Sequence, residues 1–259
     1  MTDSARGFDV IVIGAGDTFS AVHRTSAIVV VCNGFHLAID CPDTYRGALR
    51  AAAERSGRAL DLAAIDHVLI THVHGDHMNG LEGVAFYKHF AEHKRVQLVT
   101  SHDVRAVIWD QRLRASMEQL WNGTSFRTLG FDDYFEHVAL AWDQSIEVGP
   151  FRIHARRTKH HVPTSALLVE ANGAVLGYSA DTAFDTDLIA WLSRADVVIH
   201  ETNFGPAHTA YESLAALPAE TRANMKLIHY PDSFDIAASA IPVVREGDVI
   251  EVRGRFSSL

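Results

Sequence analysis

The sequence predicts an α/β fold in which two mixed β-sheets lie between flanking helices. Three observations support this prediction: strand-like runs rich in Val and Ile occur in both halves of the chain, helical segments separate them, and polar residues directly follow several predicted strands. The 259 residues exceed the usual size of one domain. We find no linker, internal repeat or low-complexity run, so we predict a single domain over residues 1–259.

The N-terminal half begins with strands. The stretches "FDVIVIGAGD" and "AIVVVCNGFHLAIDC" predict β-structure, and the pair Asn33-Gly34 predicts a turn within the second stretch. A helix is predicted in "YRGALRAAAERSG" and a strand in "IDHVLITH". Apolar residues on one face predict a helix in "LEGVAFYKHFAEHK", and residues 103–121 also have a helical pattern.

Strands return from about residue 146. The segments "SIEVGPFRIHARR" and "ADVVIHETNF" predict strands, and "TSALLVEANGAVLGYSAD" predicts a hairpin around Asn172-Gly173. A helix is predicted near residues 210–224, followed by the short strand "KLIHY". The segment "IPVVREGDVIEVRG" predicts a final hairpin.

Composition restricts the class of function. A formal net charge of −9 argues against a protein that wraps nucleic acid, because a phosphate backbone favours a basic surface. No run approaches the ~20 apolar residues of a membrane span, so we expect no membrane partner. The start lacks a basic segment followed by an apolar one, and Cys32 and Cys41 cannot form a disulfide framework. We therefore predict a cytoplasmic protein.

The densest cluster of chemically active side chains lies in "THVHGDHMNG", residues 71–80. His72 and His74 are two apart at a strand end, so both can point to the same side. Asp76 and His77 follow Gly75, where the chain can turn back toward that point. Imidazole and carboxylate groups without a thiolate suit zinc, manganese or iron. A polar surface turn would explain the spacing less well, so the sequence predicts a metal site.

These residues match a known signature. The segment from His72 to His77 has the HxHxDH pattern of the metallo-β-lactamase fold hydrolases, and the chain resembles that family from about residue 8 to 252. It most resembles the ribonuclease Z-like branch, through "LAIDC", "YSADT", "VVIHETNF" and "KLIHY", with Ala180 where that branch has glycine. The resemblance implies a four-layer αββα sandwich that binds two divalent metal ions. The expected metal is zinc, with manganese as an alternative.

The resemblance also implies which residues bind the ions. It gives seven ligands: His72, His74, Asp76, His77, His161, Asp181 and His229. Asp181 would bridge the two ions. One ligand is ambiguous, because His160 and His161 are adjacent and neighbours on a strand point to opposite faces. The family has its histidine just before "VP", which favours His161 over His160.

Two residues are predicted to act in catalysis. Asp76 would orient the hydroxide that two metal ions generate near neutral pH. The segment "AHTAYE" resembles an "HST" element of the ribonuclease Z branch, whose histidine contacts the scissile phosphate. This resemblance implies that His208 protonates the leaving oxygen, and the ordinary pKa of histidine, about 6.5, suits that role. A surface histidine at a helix N-terminus is the alternative.

Two other segments only partly match known functional motifs. "GAGDTF" lacks the third glycine of a dinucleotide-binding fingerprint and is not followed by a predicted helix. "HETNF" begins like a zinc protease motif, but Phe204 stands where the second histidine is required. We therefore expect His200 and Glu201 to support the site or the core.

The fold hosts many reactions, so several functions compete. We favour a phosphodiesterase for a small anionic substrate such as a 3′,5′-cyclic nucleotide, because the chain resembles a subgroup of small ribonuclease Z-like proteins that includes such enzymes. The alternative is a ribonuclease Z-type endonuclease for transfer RNA 3′ ends. His161 and Asp181 are only twenty positions apart, in an interval where short-form ribonuclease Z enzymes carry a long RNA-gripping arm. A lactonase, a thioesterase and a non-catalytic metal-binding protein are further alternatives. The resemblance also implies a homodimer.

Overall fold

Most of the chain forms regular secondary structure. The computed structural model describes residues 7–142 and 144–254. The strands of the described residues are β1 (Phe8–Gly14), β2 (Ala27–Cys32), β3 (Phe35–Ile39), β4 (His67–Leu69), β5 (Val96–Ser101), β6 (Gln119–Trp121), β7 (Phe126–Thr128), β8 (Phe135–Leu140), β9 (Ile146–Val148), β10 (Phe151–Arg157), β11 (Ser165–Ala171), β12 (Ala174–Tyr178), β13 (Val197–Glu201), β14 (Met225–Ile228) and β15 (Val249–Val252).

Helices connect and cover these strands. They are α1 (Tyr45–Ser56), α2 (Gly75–Met78), α3 (Leu81–Tyr87), α4 (His102–Ile108), α5 (Arg114–Met117), α6 (Phe131–Tyr134), α7 (Thr186–Leu192), α8 (Tyr211–Ala215) and α9 (Ala219–Arg222). A 3₁₀ turn covers Leu62–Ala64, and π-helical turns cover Lys88–Glu92 and Trp109–Leu113. Among the residues described, no helix is long and apolar enough to span a bilayer.

The first sheet has the strand order β15-β1-β2-β3-β4-β5-β8. Strands β1, β2, β3 and β15 pair antiparallel, whereas β3, β4, β5 and β8 pair parallel. Asn33 and Gly34 both have positive φ angles, 51° and 79°, at the tight turn between β2 and β3. This confirms the hairpin that the Asn-Gly pair predicts.

The second sheet has the order β14-β13-β12-β11-β10-β9. Strands β9 to β12 pair antiparallel, and β12, β13 and β14 pair parallel. Asn172 and Gly173, with φ angles of 50° and 74°, form the predicted turn between β11 and β12. Polar groups that follow β12 and β14 therefore lie at the same edge of this sheet.

The core has the layers of an αββα sandwich. Val10 and Val12 of β1 pack between the sheets, in a cluster that includes Val169 and Leu176 of the second sheet. Ile11, on the opposite face of β1, packs in the cluster that contains residues of α1 and α3. On the far side, Leu188 and Leu192 of α7 pack on the second sheet. The predicted fold class is confirmed.

Three element predictions need correction. The helical segment predicted over 103–121 ends at Met117, and residues from Gln119 begin the β6–β7 hairpin. The helix predicted near 210–224 is divided into α8 and α9 by a break that contains Pro218, whose ring disfavours helix in the residue before it. The final hairpin does not form, because β15 pairs with β1 and so places Val252 in the core between the sheets.

Candidate metal centre

The candidate site lies where strands from both sheets end. Asp40 follows β3 and the histidine motif follows β4, both in the first sheet, whereas Asp181 and His229 follow β12 and β14 of the second. Asp40, Ala180 and His229 have positive φ angles of 64°, 48° and 61°, which are uncommon for residues other than glycine. The backbone thus turns sharply at three strand ends and directs polar side chains toward one place.

One group of potential ligand atoms comprises a carboxylate and three imidazoles, which all lie within 4.8 Å of one another: His72, His74, His160 and Asp181. Nδ1 of His74 lies 3.1 Å from Nε2 of His72 and 3.1 Å from Nε2 of His160. The Asp181 carboxylate lies 3.7 Å from Nε2 of His72 and 3.6 Å from Nε2 of His160. The ring nitrogens therefore converge on a single point beside the carboxylate.

A second group lies on the other side of Asp181. Oδ2 of Asp76 lies 3.4 Å from Nε2 of His77 and 3.4 Å from Nε2 of His229. Asp181 is 3.4 Å from Nε2 of His77 through Oδ1 and 3.6 Å from Nε2 of His229 through Oδ2. Asp181 therefore faces both groups, as a residue that bridges two cations must.

The buried polar atoms fit a bound cation. Nε2 of His77 and Oδ1 of Asp181 are buried and have no hydrogen-bond partner among the described residues, which is costly for polar atoms unless something else satisfies them. The donors around them are imidazole nitrogens and carboxylate oxygens, the set that divalent zinc or manganese prefers. This cluster of histidine and aspartate fits a metal site.

Protonation favours the same interpretation. Burial lowers the pKa of His72 well below its ordinary value and lowers the pKa of His160 to about 4, so both rings are neutral at pH 7 and keep a free lone pair. Burial acts to raise the pKa of Asp76 and Asp181, but the nearby histidines, His229 and His77 foremost, outweigh it and hold both values low. These are the protonation states that bind metal ions. At His77 and His229 burial lowers the pKa, but the charge of Asp181 outweighs it and holds both values above the ordinary one, so these two rings would release a proton when an ion binds.

The structure bears on the choice between the adjacent His160 and His161. His160, rather than His161, joins the cluster. Residues 158–164 form a loop of bends and not a strand, so the alternation of faces along a strand does not decide between the two. The His160 side chain is fully buried, with Nδ1 3.0 Å from the carbonyl oxygen of Ala207, whereas His161 is exposed. This geometry favours His160 over the predicted His161 as the ligand. The other six predicted ligands lie in the cluster.

Asp40 is a site residue that the sequence reasoning missed. Its carboxylate lies 2.8 Å from Nδ1 of His77 and accepts hydrogen bonds from the backbone N–H and the hydroxyl of Thr71, at 2.8 and 2.9 Å. Burial lowers the pKa of His77, but the charges of Asp181 and Asp40 outweigh it and hold that pKa well above its ordinary value. A carboxylate directly after the apolar strand "FHLAI" was the available signal.

His208 lies beside the cluster. Its Nδ1 is 3.0 Å from Oε1 of Glu201, and its ring stacks on that of His229 with centroids 5.4 Å apart and planes 16° from parallel. Glu201 also accepts the backbone N–H of Thr182 at 2.8 Å, so it holds His208 against a fixed part of the chain. Nδ1 of His200 lies 2.7 Å from the carbonyl oxygen of Glu201, which makes His200 a buried structural residue.

An open pocket of about 450 Å³ lies over the cluster. His208, Asp76 and Asp181 line its floor and walls, and Phe19 and Phe204 lie at its rim. This volume falls in the range of sites for small molecules, roughly 300–1,000 Å³.

Comparison with known proteins agrees with the fold. The profile of the family described as Anti-Pycsar protein Apyc1 matches residues 8–248. The Anti-Pycsar protein Apyc1 of Paenibacillus sp. (strain J14) is 28% identical over 247 residues, which cover 92% of this chain and 96% of that protein.

Solved structures share the architecture. The metallo-β-lactamase fold protein YhfI of Bacillus subtilis matches with a TM-score of 0.75 at 19% identity, over 95% of this chain and 99% of that one. Human short-form tRNase Z matches with a TM-score of 0.68 at 19% identity, over 93% and 98%. With the family profile matching nearly all of it, this chain belongs to the Anti-Pycsar protein Apyc1 family and is a metal-dependent hydrolase with the metallo-β-lactamase fold.

Proposed function

We propose that this protein hydrolyses a small phosphodiester, a 3′,5′-cyclic nucleotide, at a site that binds two divalent metal ions. The observation that carries the proposal is the position of Asp181, which faces two separate groups of ligand atoms in an open pocket. Family membership supports the substrate class, since Anti-Pycsar proteins degrade cyclic-nucleotide signals.

Seven side chains would hold the ions, with Asp181 shared between them: His72, His74, His160, Asp76, His77, His229 and Asp181. We propose zinc, with manganese as an alternative, because nitrogen and oxygen donors without thiolate suit both. When bound, the ions would lower the pKa of water and neutralise the phosphate charge.

The chain's own residues would perform the remaining steps. Asp76 is ionised and can orient the attacking water by accepting a hydrogen bond. His208 can donate a proton from its ring to the leaving oxygen, because Glu201 fixes the other side of the ring through Nδ1. The stack on His229 sets the plane of that ring beside the cluster. General acid catalysis of this kind typically contributes 10²–10⁴-fold to a rate.

The shape of the second sheet argues against a transfer RNA substrate. The chain between His160 and Asp181 is a loop followed by the β11–β12 hairpin, whose tight turn contains Asn172 and Gly173. This interval leaves no room for an RNA-gripping arm. A net charge of −9 would also oppose the approach of a large polyanion.

A substrate panel tests the proposal. Metal-loaded protein would be assayed with purine and pyrimidine 3′,5′-cyclic nucleotides, a phenyl phosphodiester, a precursor transfer RNA and a lactone. We expect hydrolysis of the cyclic nucleotides and the phenyl diester. Cleavage of the precursor RNA without activity on any cyclic nucleotide would assign the protein to the endonucleases, and turnover of the lactone alone would make it an acyl hydrolase.

We also propose that the protein acts as a cytoplasmic homodimer. Cys32 and Cys41 are free and buried, which suits a reducing compartment. The hairpin of β6 and β7 presents Trp121 and Phe126, which are 59% and 68% exposed and contact each other, so the segment around it is our candidate interface. Light scattering should give the mass of two chains at micromolar concentration, and the mass of one chain would refute the dimer.

A further inference from the structure

We infer that Phe19 and Phe204 form the binding site for the nucleotide base, between whose rings the base stacks while the phosphate lies at the metal cluster. The inference rests on the proposed function and extends it, because it names the residues that would separate a nucleotide from other small phosphodiesters. The packing of the fold does not account for these two exposed phenylalanine rings.

Both rings lie at the rim of the pocket and are exposed to solvent. Phe19 is 89% exposed and Phe204 is 69% exposed, and both line the pocket that contains Asp76 and Asp181. A single exposed aromatic residue is ordinary on a protein surface. Here two such rings, from loops distant in sequence, lie at the mouth of one polar pocket. A planar ligand could stack on both of them.

The backbone that carries each ring is fixed by a neighbouring polar side chain. The N–H of Phe19 donates to Oδ1 of Asp17 at 3.0 Å, and the N–H of Phe204 donates to Oδ1 of Asn203 at 2.7 Å. Asn203 in turn donates through Nδ2 to Oδ2 of Asp17 at 3.2 Å. One pair of side chains therefore joins the two loops and sets the distance between the two phenylalanines.

The same pair is connected to the metal cluster. Nδ2 of Asn203 lies 3.3 Å from Nδ1 of His229, whose other ring nitrogen faces Asp76 and Asp181. The backbone that carries Phe19 and Phe204 thus has a fixed position relative to the place where a phosphate would bind. Preorganised contacts of this kind bind a ligand at low entropic cost.

Further anchors hold the loop of Phe19. The N–H of Ala21 donates to Oδ2 of Asp232 at 2.8 Å, and the hydroxyl of Ser20 donates to the same carboxylate. The N–H of His23 donates to the hydroxyl of Ser20 at 2.7 Å. The main chain is therefore held on both sides of Phe19, while the ring itself extends into solvent and is free to contact a ligand.

A nucleotide base fits this arrangement chemically. Every base has an aromatic face, and stacking on aromatic side chains stabilises bound nucleotides without reading the edge of the base. Phosphate oxygens, by contrast, have no attraction to phenyl rings. The two phenylalanines should therefore affect the binding of the base and leave the chemistry at phosphorus unchanged.

The kinetic test compares a nucleotide with a substrate that lacks the base. Phe19→Ala and Phe204→Ala would each be assayed on a 3′,5′-cyclic nucleotide and on ribose 3′,5′-cyclic phosphate. We expect KM for the cyclic nucleotide to rise about 5-fold or more in each variant, the lower end of what one stacking contact contributes, with kcat little changed. Both parameters for the base-free substrate should stay at the wild-type value.

Two further variants control for loss of structure. Phe90→Ala removes a ring that is 55% exposed and does not line the pocket, so KM should be unchanged. Phe204→Trp keeps an aromatic face, so its KM should stay near the wild-type value, in contrast to Phe204→Ala. An equal change of KM on both substrates, or no change on either, would overturn the inference.

A binding measurement separates this inference from the proposed activity. Calorimetry would compare a nucleoside 5′-monophosphate with ribose 5-phosphate on metal-loaded protein. Wild type should bind the nucleotide about 5-fold or more tightly than ribose 5-phosphate. The double variant Phe19→Ala/Phe204→Ala should bind the two ligands with similar affinity. Equal affinities in wild type would refute the base site even if cyclic nucleotides are hydrolysed. Absence of hydrolysis with a preserved advantage would refute the activity alone.

Discussion

The carboxylate of Asp40 lies 2.8 Å from Nδ1 of His77, and both side chains are buried. Nε2 of the same ring faces Asp76 and Asp181, both at 3.4 Å. A carboxylate that accepts the proton of Nδ1 leaves the lone pair of Nε2 free for a metal ion and fixes the plane of the ring. Asp40 thus fixes the ring of His77, a ligand that the linear motif predicts.

Asp40→Asn should weaken metal binding while most of the fold is kept. An amide is a poorer acceptor than a carboxylate for the Nδ1 proton, and loss of such supporting groups typically costs about 10–100-fold in metal affinity. Competition with a chromogenic chelator would measure the change. Asp110→Asn, at an exposed carboxylate that pairs with Arg114 at 3.5 Å, serves as the matched control. Equal affinities of the two variants would contradict the role of Asp40.

The adjacent histidines of the 158–164 loop should behave differently. His160→Ala should reduce the metal content below that of wild type and lower turnover by about 100-fold or more, because it removes a ring nitrogen from the first group of ligand atoms. His161→Ala should keep the full metal content, since this exposed side chain is outside that group. Metal analysis of both purified variants decides between them, and the reverse result would restore His161 as the ligand.

Asp181→Asn should abolish turnover. A neutral amide cannot bridge two cations as a carboxylate does, and the carboxylate of Asp181 faces both groups of potential ligands, with Nε2 of His160 at 3.6 Å and Nε2 of His77 at 3.4 Å. Circular dichroism should show a retained fold, because the substitution preserves the size of the side chain. Turnover of a cyclic nucleotide above about a tenth of the wild-type rate would be incompatible with a bridging role.

His208→Ala should have an effect that depends on the leaving group. An alkoxide needs a proton as it departs, whereas a phenolate is stable enough to leave without one. We therefore expect a loss of about 10²-fold or more in kcat for a cyclic nucleotide and a much smaller loss for a phenyl phosphodiester. Steady-state kinetics on the two substrates provide the measurement. An equal loss on both would indicate that His208 positions the phosphate and does not transfer a proton.

His200 should make the stability of the metal-free protein depend on pH. Burial lowers the pKa of His200 to about 4, and the unfolded value is about 6.5. As the pH falls below about 6.5 the unfolded state binds the proton first, so the stability contributed by neutral His200 is present above that value and is lost toward pH 4. The loss amounts to about 3 kcal/mol.

Denaturant unfolding with a chelator present would test this, with His200→Asn as the comparison. The amide can still donate to the carbonyl oxygen of Glu201 but does not titrate. Wild type should therefore lose about 3 kcal/mol more than the variant between about pH 7 and about pH 4. Parallel pH curves for the two proteins would show that His200 is not the group responsible.

The sequence predicts well those elements that depend on adjacent residues. The turns at Asn33-Gly34 and Asn172-Gly173 follow from the conformational preference of adjacent residues, and the structure contains both. The final hairpin was predicted from the same kind of signal and does not form. Its last strand, β15, pairs instead with β1 and buries Val252. That long-range pairing has no signature in the neighbouring sequence.

The candidate site likewise contains residues that a local motif predicts and residues that only the fold brings together. His72, His74, Asp76 and His77 lie within six residues, so one short motif predicts them. Choosing between adjacent histidines required the geometry of the 158–164 loop, where no periodicity indicates which ring turns inward. The role of Asp40 depends on β3 lying next to β4, which brings it to His77 from 37 positions away.

The predicted ligands are divided between the two sheets, and metal binding across this division would affect how long the protein survives in a cell. The histidine motif follows the first sheet, whereas His160, Asp181 and His229 follow strands of the second. Ions bound by both groups would join the halves of the sandwich, and their binding energy would oppose any opening that exposes the chain to proteases. A cell short of metal would therefore degrade this protein faster, so that metal supply would set its abundance as well as its activity.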